Sequence, residues 1–134
     1  MKYFKISEFT QSHTATAHSI ANVPTAEAVK NLEALVTCVL DPVREAWGTP
    51  IIVSSGYRCE ELNKAVGGAK NSQHMTGCAA DIVCSEPRKL FDIIKQQGKF
   101  DQLLWEHSGK TQWLHVSYKP NGKNRQQAND NCKA

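Results

Sequence analysis

The chain has 134 residues, 40% of them hydrophobic and 22% charged, with a formal net charge of +3 at pH 7. That length fits one domain able to bury roughly two-thirds of its unfolded surface, and the charge balance excludes an acidic disordered segment. So mild a positive charge gives only weak support for a polyanion such as nucleic acid, and no stretch approaches the ~20 apolar residues of a membrane span; a monomer without nucleic acid or membrane partners is expected.

Residues 1–24 mix the aromatic anchors Tyr3, Phe4 and Phe9 with Ser, Thr and two histidines and show no sustained period, which predicts an irregular arm lying on the domain. His13 and His18 have no carboxylate or cysteine beside them and are not taken as ligands. Thr25 is a predicted N-cap, and Val29, Leu32, Val36, Val39, Val43 and Trp47 then recur at three- and four-residue steps, the stripe of an amphipathic helix. Pro42 within that stripe either kinks the helix or, with Asp41 as a second cap, starts a new one; Gly48 and Pro50 end it.

Residues 51–54, Ile-Ile-Val-Ser, predict a short buried strand. After Gly56-Tyr57-Arg58, a short helix is expected over 61–66, closed by Gly67-Gly68. Residues 78–84 read as a second strand in which Ala79, Asp81 and Val83 share one face and Ala80 and Ile82 the other. A carboxylate in such a strand is costly unless a cation or metal pairs with it. Glu86-Pro87 opens a second amphipathic helix that turns Leu90, Phe91 and Ile94 inward and stops at Gly98.

Residues 102–106 and 113–118 predict an antiparallel hairpin around the turn-prone 107–110. Alternation assigns Leu114, Val116 and Tyr118 to the core and Trp113, His115 and Ser117 to a cleft. Residues 119–134 form a polar tail, with Lys119, Lys123, Arg125 and Lys133 read as solvated and the end as frayed. The five cysteines, Cys38, Cys59, Cys78, Cys84 and Cys132, include no C-x-x-C pair, so free thiols and synthesis in a reducing compartment are expected. The amino terminus shows no export signal.

The stretch from Ser72 to Asp81, Ser-Gln-His-Met-Thr-Gly-Cys-Ala-Ala-Asp, carries the chemistry. His74 and Asp81 offer one nitrogen and one oxygen ligand, with small residues between them that let backbone pack closely. A catalytic zinc usually takes three protein ligands and keeps a fourth position open, and His115 is the candidate third. Taken alone, His74 reads rather as a loop cap, Asp81 as a strand end and His115 as a half-buried strand histidine. Together, two neutral imidazoles and a carboxylate leave Zn²⁺ with net charge +1, suited to polarising a carbonyl, whereas calcium or magnesium prefers more oxygens. Arg58, where a strand gives way to a helix, is the candidate oxyanion donor, its other reading being a surface salt bridge. Glu106 is either the general base, an acceptor that orients a ligand histidine, or an edge-strand carboxylate.

Ser54-Ser55-Gly56-Tyr57-Arg58, then Ser72-x-His74-x-x-Gly77-x-Ala79-x-Asp81, then Trp113-x-His115 resembles the zinc D-alanyl-D-alanine carboxypeptidase family, metallopeptidase family fifteen. The resemblance covers roughly residues 25 to 118 and implies the α+β fold shared with the hedgehog amino-terminal domain, a small antiparallel sheet with helices on one face. It implies one zinc ion on His74, Asp81 and His115, Arg58 at the substrate or oxyanion, and Ser72 assisting; Trp113 on the cleft face joins them as a substrate contact. The expected activity is hydrolysis of a peptidoglycan stem peptide, by a D,D-carboxypeptidase or an endolysin-type endopeptidase made in the cytoplasm and acting on the wall after release. One departure stands out. Many members carry Glu or Asp three residues before the last histidine as general base, and this chain has Gln112, which can position water but not take its proton. Glu106 is then the expected base. The alternative is a zinc-containing module, weakly active or inactive, that binds wall peptides or a protein.

Overall fold

The computed structural model describes residues 1–131. Its N-terminal segment is more ordered than an irregular arm: helix α1 spans Ile6–Thr10 and α2 spans His13–Ala17, the second capped by the Ser12 hydroxyl on Ala15 N at 3.2 Å. Each is little more than one turn, too short to write a period into the sequence. Phe4 and Phe9 are buried against each other with ring centroids 5.9 Å apart and anchor the segment to the core.

The Thr25 hydroxyl accepts from Ala28 N at 3.1 Å and starts α3, Ala26–Leu35. A wider π turn over Val36–Leu40 follows, in which Asp41 N–H reaches back to the Val36 carbonyl, and α4 continues over Asp41–Trp47 until Gly48 ends it at φ +87°. Pro42 has no N–H for an ordinary helical bond and its ring crowds the carbonyl four residues back, so a locally widened turn is the relaxed solution. Asp41 is therefore helical and not a second cap; its carboxylate accepts from the backbone N–H groups of Lys2 and Tyr3 at 2.7 and 3.1 Å. Leu32, Val36, Val39 and Val43 of the expected stripe are buried, and Trp47 packs against the core edge.

Five strands form one sheet in the order β1-β2-β4-β3-β5: β1 Ile52–Ser55, β2 Ala79–Val83, β3 Gln102–Ser108, β4 Thr111–Ser117 and β5 Gln127–Asp130. The hairpin β3–β4 and the pairs β1–β2 and β2–β4 are antiparallel, while β5 runs parallel to β3. Two expectations change here. β1 is an edge strand and not a buried one: Ile51 before it is buried, but Ile52 is 65% exposed. The tail is also not frayed over 127–130, because β5 closes the far edge. Arg88 holds Asp130 at 2.6 Å, and Arg125 forks onto Asp101. Cys132 and Lys133 lie outside the described residues.

Ala80, Ile82, Leu103, Trp105, Leu114 and Val116 turn one sheet face onto the helices, where they meet Leu32, Leu35 and, from α6 (Pro87–Gln97), Leu90 and Ile94. This is the α+β architecture expected, with the core on one side of the sheet. Helix α5, Glu60–Ala65, and the loop after it return the chain to Ser72 above the other face. Among the described residues Cys38, Cys59, Cys78 and Cys84 are free thiols, and no helix is long and apolar enough to cross a membrane.

Asp101 is fully buried and sequence reasoning passed over it. Its carboxylate accepts from Arg125 N, Nε and Nη2 at 2.9, 3.0 and 2.7 Å and from Gln73 Nε2 at 3.1 Å, with Lys119 Nζ at 3.6 Å. The Arg125 bonds, aided by Gln73, outweigh desolvation and hold this carboxyl well below the usual carboxylate range. The residue thus ties the C-terminal segment to the turn that carries His74.

Candidate metal centre

His74 sits in a single 3₁₀ turn, Gln73–Thr76. Ser72 caps it, its hydroxyl accepting from His74 N at 3.2 Å, and Gly77 closes it in the left-handed region at φ +78°. Gly77 also lies directly on the Ala28 carbonyl of α3, where a Cβ would collide. Asn31 Nδ2 donates to the Thr76 carbonyl at 2.8 Å, so the turn is bolted to the helix and His74 is 2% exposed. The His74 Nδ1–H donates to the Gly56 carbonyl at 2.7 Å, which leaves Nε2 as the ring's lone-pair nitrogen.

That nitrogen faces Asp81 Oδ1 at 3.3 Å, and His115 Nδ1 faces the same oxygen at 3.1 Å. Asp81 and His115 are register partners on β2 and β4, so alternation sends both side chains to the face opposite the core. Ligand atoms of His74, Asp81 and His115 all lie within 4.8 Å of one another. A lone pair and a carboxylate oxygen held this close repel unless a cation lies between them, and two imidazoles with one carboxylate are a zinc donor set. Burial pushes the Asp81 carboxyl up, but the His115 and His74 rings beside it outweigh burial and hold the group well below the usual carboxylate range.

Around these donors is a cleft of about 260 Å³ lined by Arg58, Ser72, Leu104, Glu106 and Trp113. Arg58 is positioned by Asn63, a buried residue absent from the sequence reading: Nη1 donates to Asn63 Oδ1 at 3.1 Å, and Asn63 Nδ2 donates to the Ala69 carbonyl at 2.9 Å. Gly68 leaves room for this pair, since a Cβ there would lie 2.6 Å from Arg58 Nη1. Arg58 Nε is buried and has no hydrogen-bond partner among the described residues. Burial lowers the Arg58 pKa and nearby Asp81 opposes that shift, so the group remains a cation at neutral pH.

Glu106, opposite Trp113 on the hairpin, lines the same cleft, with Oε1 accepting from Asn131 Nδ2 at 3.0 Å. Gln112 does not line it. Its Oε1 accepts from Trp105 Nε1 at 3.2 Å, on the core face it shares with Leu114 and Val116, so the expectation that it positions water at the site is corrected. The signal was present in the sequence: a residue three positions before His115 in a regular strand points away from His115's face. The Gly56 carbonyl and Asn63, by contrast, had no residue-type signature.

An α+β domain whose sheet presents one imidazole and a carboxylate to a second imidazole on an adjoining turn, beside a half-buried guanidinium and a second carboxylate, has the layout of the metal-dependent hydrolase class. Residues 2–117 match peptidase M15, and the chain belongs to that family. Over 57 residues it is 47% identical to the zinc D-Ala-D-Ala carboxypeptidase of Streptomyces albus G, a match covering 41% of this chain and 22% of that protein.

Proposed function

We propose that the protein is a zinc peptidase that hydrolyses a peptide bond in the stem peptides of bacterial peptidoglycan. The observation that carries this reading is the convergence of His74 Nε2, His115 Nδ1 and Asp81 Oδ1 in a cleft that also holds Arg58 and Glu106. Family membership supports the peptidase chemistry, and the name of the Streptomyces relative supports zinc and a D-Ala-D-Ala type of substrate.

Zinc held by His74, Asp81 and His115 would supply a Lewis acid at the scissile carbonyl and acidify water there. The chain's own groups do the rest. Glu106 accepts the proton of the attacking water and returns it to the leaving amine, the two-way role a carboxylate can fill and an amide cannot. Arg58 donates to the tetrahedral oxyanion, its fork held by Asn63 so that little reorganisation accompanies the charge. Gly56 fixes the His74 tautomer through its carbonyl. Ser72 and Trp113 border the cleft as substrate contacts. The rival reading, a silent binding module, drew its support from Gln112; with that side chain turned to Trp105, Glu106 is the acidic residue that lines the cleft along with the ligand Asp81.

Zinc-loaded protein is incubated with purified peptidoglycan and with D-Ala-D-Ala peptides, and the fragments are weighed. New amino and carboxyl ends at one stem-peptide bond are expected. Uncut substrates in the presence of one zinc per chain would overturn the proposal.

A further inference from the structure

Residues 56–59 join β1 to α5 without regular structure, yet they carry Arg58 and back the His74 ring. Their backbone groups belong to no ladder, so what holds them has to come from other parts of the chain. Two regions supply it. On one side is the His74 turn: the Gly56 carbonyl accepts from His74 Nδ1 at 2.7 Å, and Arg58 N–H donates to the His74 carbonyl at 3.1 Å. On the other is the N-terminal segment. Tyr57 N–H donates to the Phe9 carbonyl at 2.6 Å, and Gly56 lies so close to Phe9 that a Cβ would collide with that carbonyl.

A further hold is a single side chain, Asn22, in the coil between α2 and α3. Its Oδ1 accepts from Cys59 N–H at 2.8 Å, and its Nδ2 donates to the Tyr57 carbonyl at 2.9 Å and to the Thr10 carbonyl at 3.1 Å. One N–H partner and two carbonyl partners fix which end of the amide is which, and they engage its oxygen and both its donors. The Tyr57 carbonyl belongs to the peptide plane before Arg58, and the Cys59 N–H to the plane after it. Planar peptides leave only φ and ψ of Arg58 between those two groups, so one amide bonded to both sets both angles. The direction in which the Arg58 side chain leaves the backbone follows. Asn63 then holds the far end of that side chain through Nη1. Anchoring the N-terminal segment does not require Asn22, because Phe4 and Phe9 are already buried in the core.

We propose that Asn22 is a positioning residue: by fixing the backbone on both sides of Arg58 it aims the guanidinium at the oxyanion that forms on the scissile carbonyl. This rests on the proposed peptidase reading and on Arg58 as its oxyanion donor. A donor held in place before charge develops stabilises the transition state more than bound substrate, so loss of Asn22 should act on kcat and spare KM.

The test compares zinc-loaded wild type, Asn22→Ala and Asn22→Asp, with each substitution repeated in an Arg58→Ala background. Aspartate keeps the size and an acceptor for Cys59 but sets lone pairs against two carbonyls. Three quantities are read: turnover of a D-Ala-D-Ala peptide, affinity for a phosphinate analogue of that dipeptide, whose oxygens mimic the oxyanion, and the NMR signal of Arg58 Nε–H. With Arg58 present, both substitutions should lower kcat and phosphinate affinity by at least about ten-fold and leave KM within about three-fold. With Arg58 already alanine, they should change phosphinate affinity by less than about two-fold, as expected of a residue that acts only through that side chain. The Arg58 Nε–H signal should shift, with one zinc per chain and the far-UV spectrum unchanged. Equal losses in both backgrounds, loss of zinc in place of kcat, wild-type behaviour of Asn22→Asp, or an unmoved Arg58 signal would overturn the proposal. The signal and the phosphinate titration are read without turnover, which separates this failure from that of the peptidase reading, seen as wild-type protein that holds zinc and cuts no wall peptide.

Discussion

Asp81 and His115 stand directly opposite each other on β2 and β4, with Asp81 Oδ1 3.1 Å from His115 Nδ1. Strand register alone therefore brings together two of the three donors, and the capped turn at His74 has only to supply the third. Asp81→Asn, which keeps size and one acceptor oxygen but removes the charge, should weaken zinc binding by at least about 100-fold, more than losing an outer-sphere partner does. Zinc titration checks this, and an unchanged far-UV spectrum confirms that the register survives.

Glu106 and Gln112 lie on different faces of the hairpin, so exchanging acid and amide at the two positions should have unequal effects. Glu106→Gln should lower kcat by about 10²- to 10⁴-fold with zinc stoichiometry unchanged. Gln112→Glu preserves an acceptor for the Trp105 indole and should leave kcat within two-fold of wild type, since its carboxylate is turned from the cleft. Substantial activity in Glu106→Gln, or a gain in Gln112→Glu, would reverse the assignment of the base.

Gly77 joins fold to site. Alanine there would have to hold a left-handed φ, costing roughly 1–2 kcal/mol, while its Cβ pressed on the Ala28 carbonyl of α3. Gly77→Ala should lower stability by more than about 2 kcal/mol and also weaken zinc binding, because the His74 turn must move away from the helix. Denaturant unfolding and zinc titration on the same sample read both effects.

The Asp101 carboxyl, held low by Arg125, predicts a pH dependence of stability. Its folded pKa lies below the unfolded value of about 3.9, so its contribution is complete above that value and is lost as pH falls from there towards the folded pKa. The unfolded chain binds more protons in that window, and stability should rise with pH across it. Asp101→Asn should remove this share of the slope and cost about 2 kcal/mol at neutral pH, since Arg125 and Gln73 lose a charged acceptor while Arg125 stays partly solvated. Thermal unfolding followed between pH 2.5 and 7 tests the sign.

The elements written as periodic patterns were legible from the chain alone: the stripe from Leu32 to Val43, the helix from Pro87 to Gly98, and the alternation around Asp81 and His115. So was the donor set, because imidazole and carboxylate are informative by residue type and His74 and Asp81 fall within one short stretch. Tertiary structure decided the remainder. β5 is a polar strand whose pairing depends on a free edge of β3 and on the Asp101–Arg125 fork, neither of which leaves a hydrophobic pattern. The hold of Asn63 on Arg58, the Gly56 carbonyl behind His74, and the bonds of Asn22 to the peptide groups beside Arg58 each join segments distant in sequence through backbone or amide groups that every chain possesses. Local sequence can specify a period or a chemical type; which distant surfaces meet is set by long-range packing, and that is a property of the folded chain as a whole.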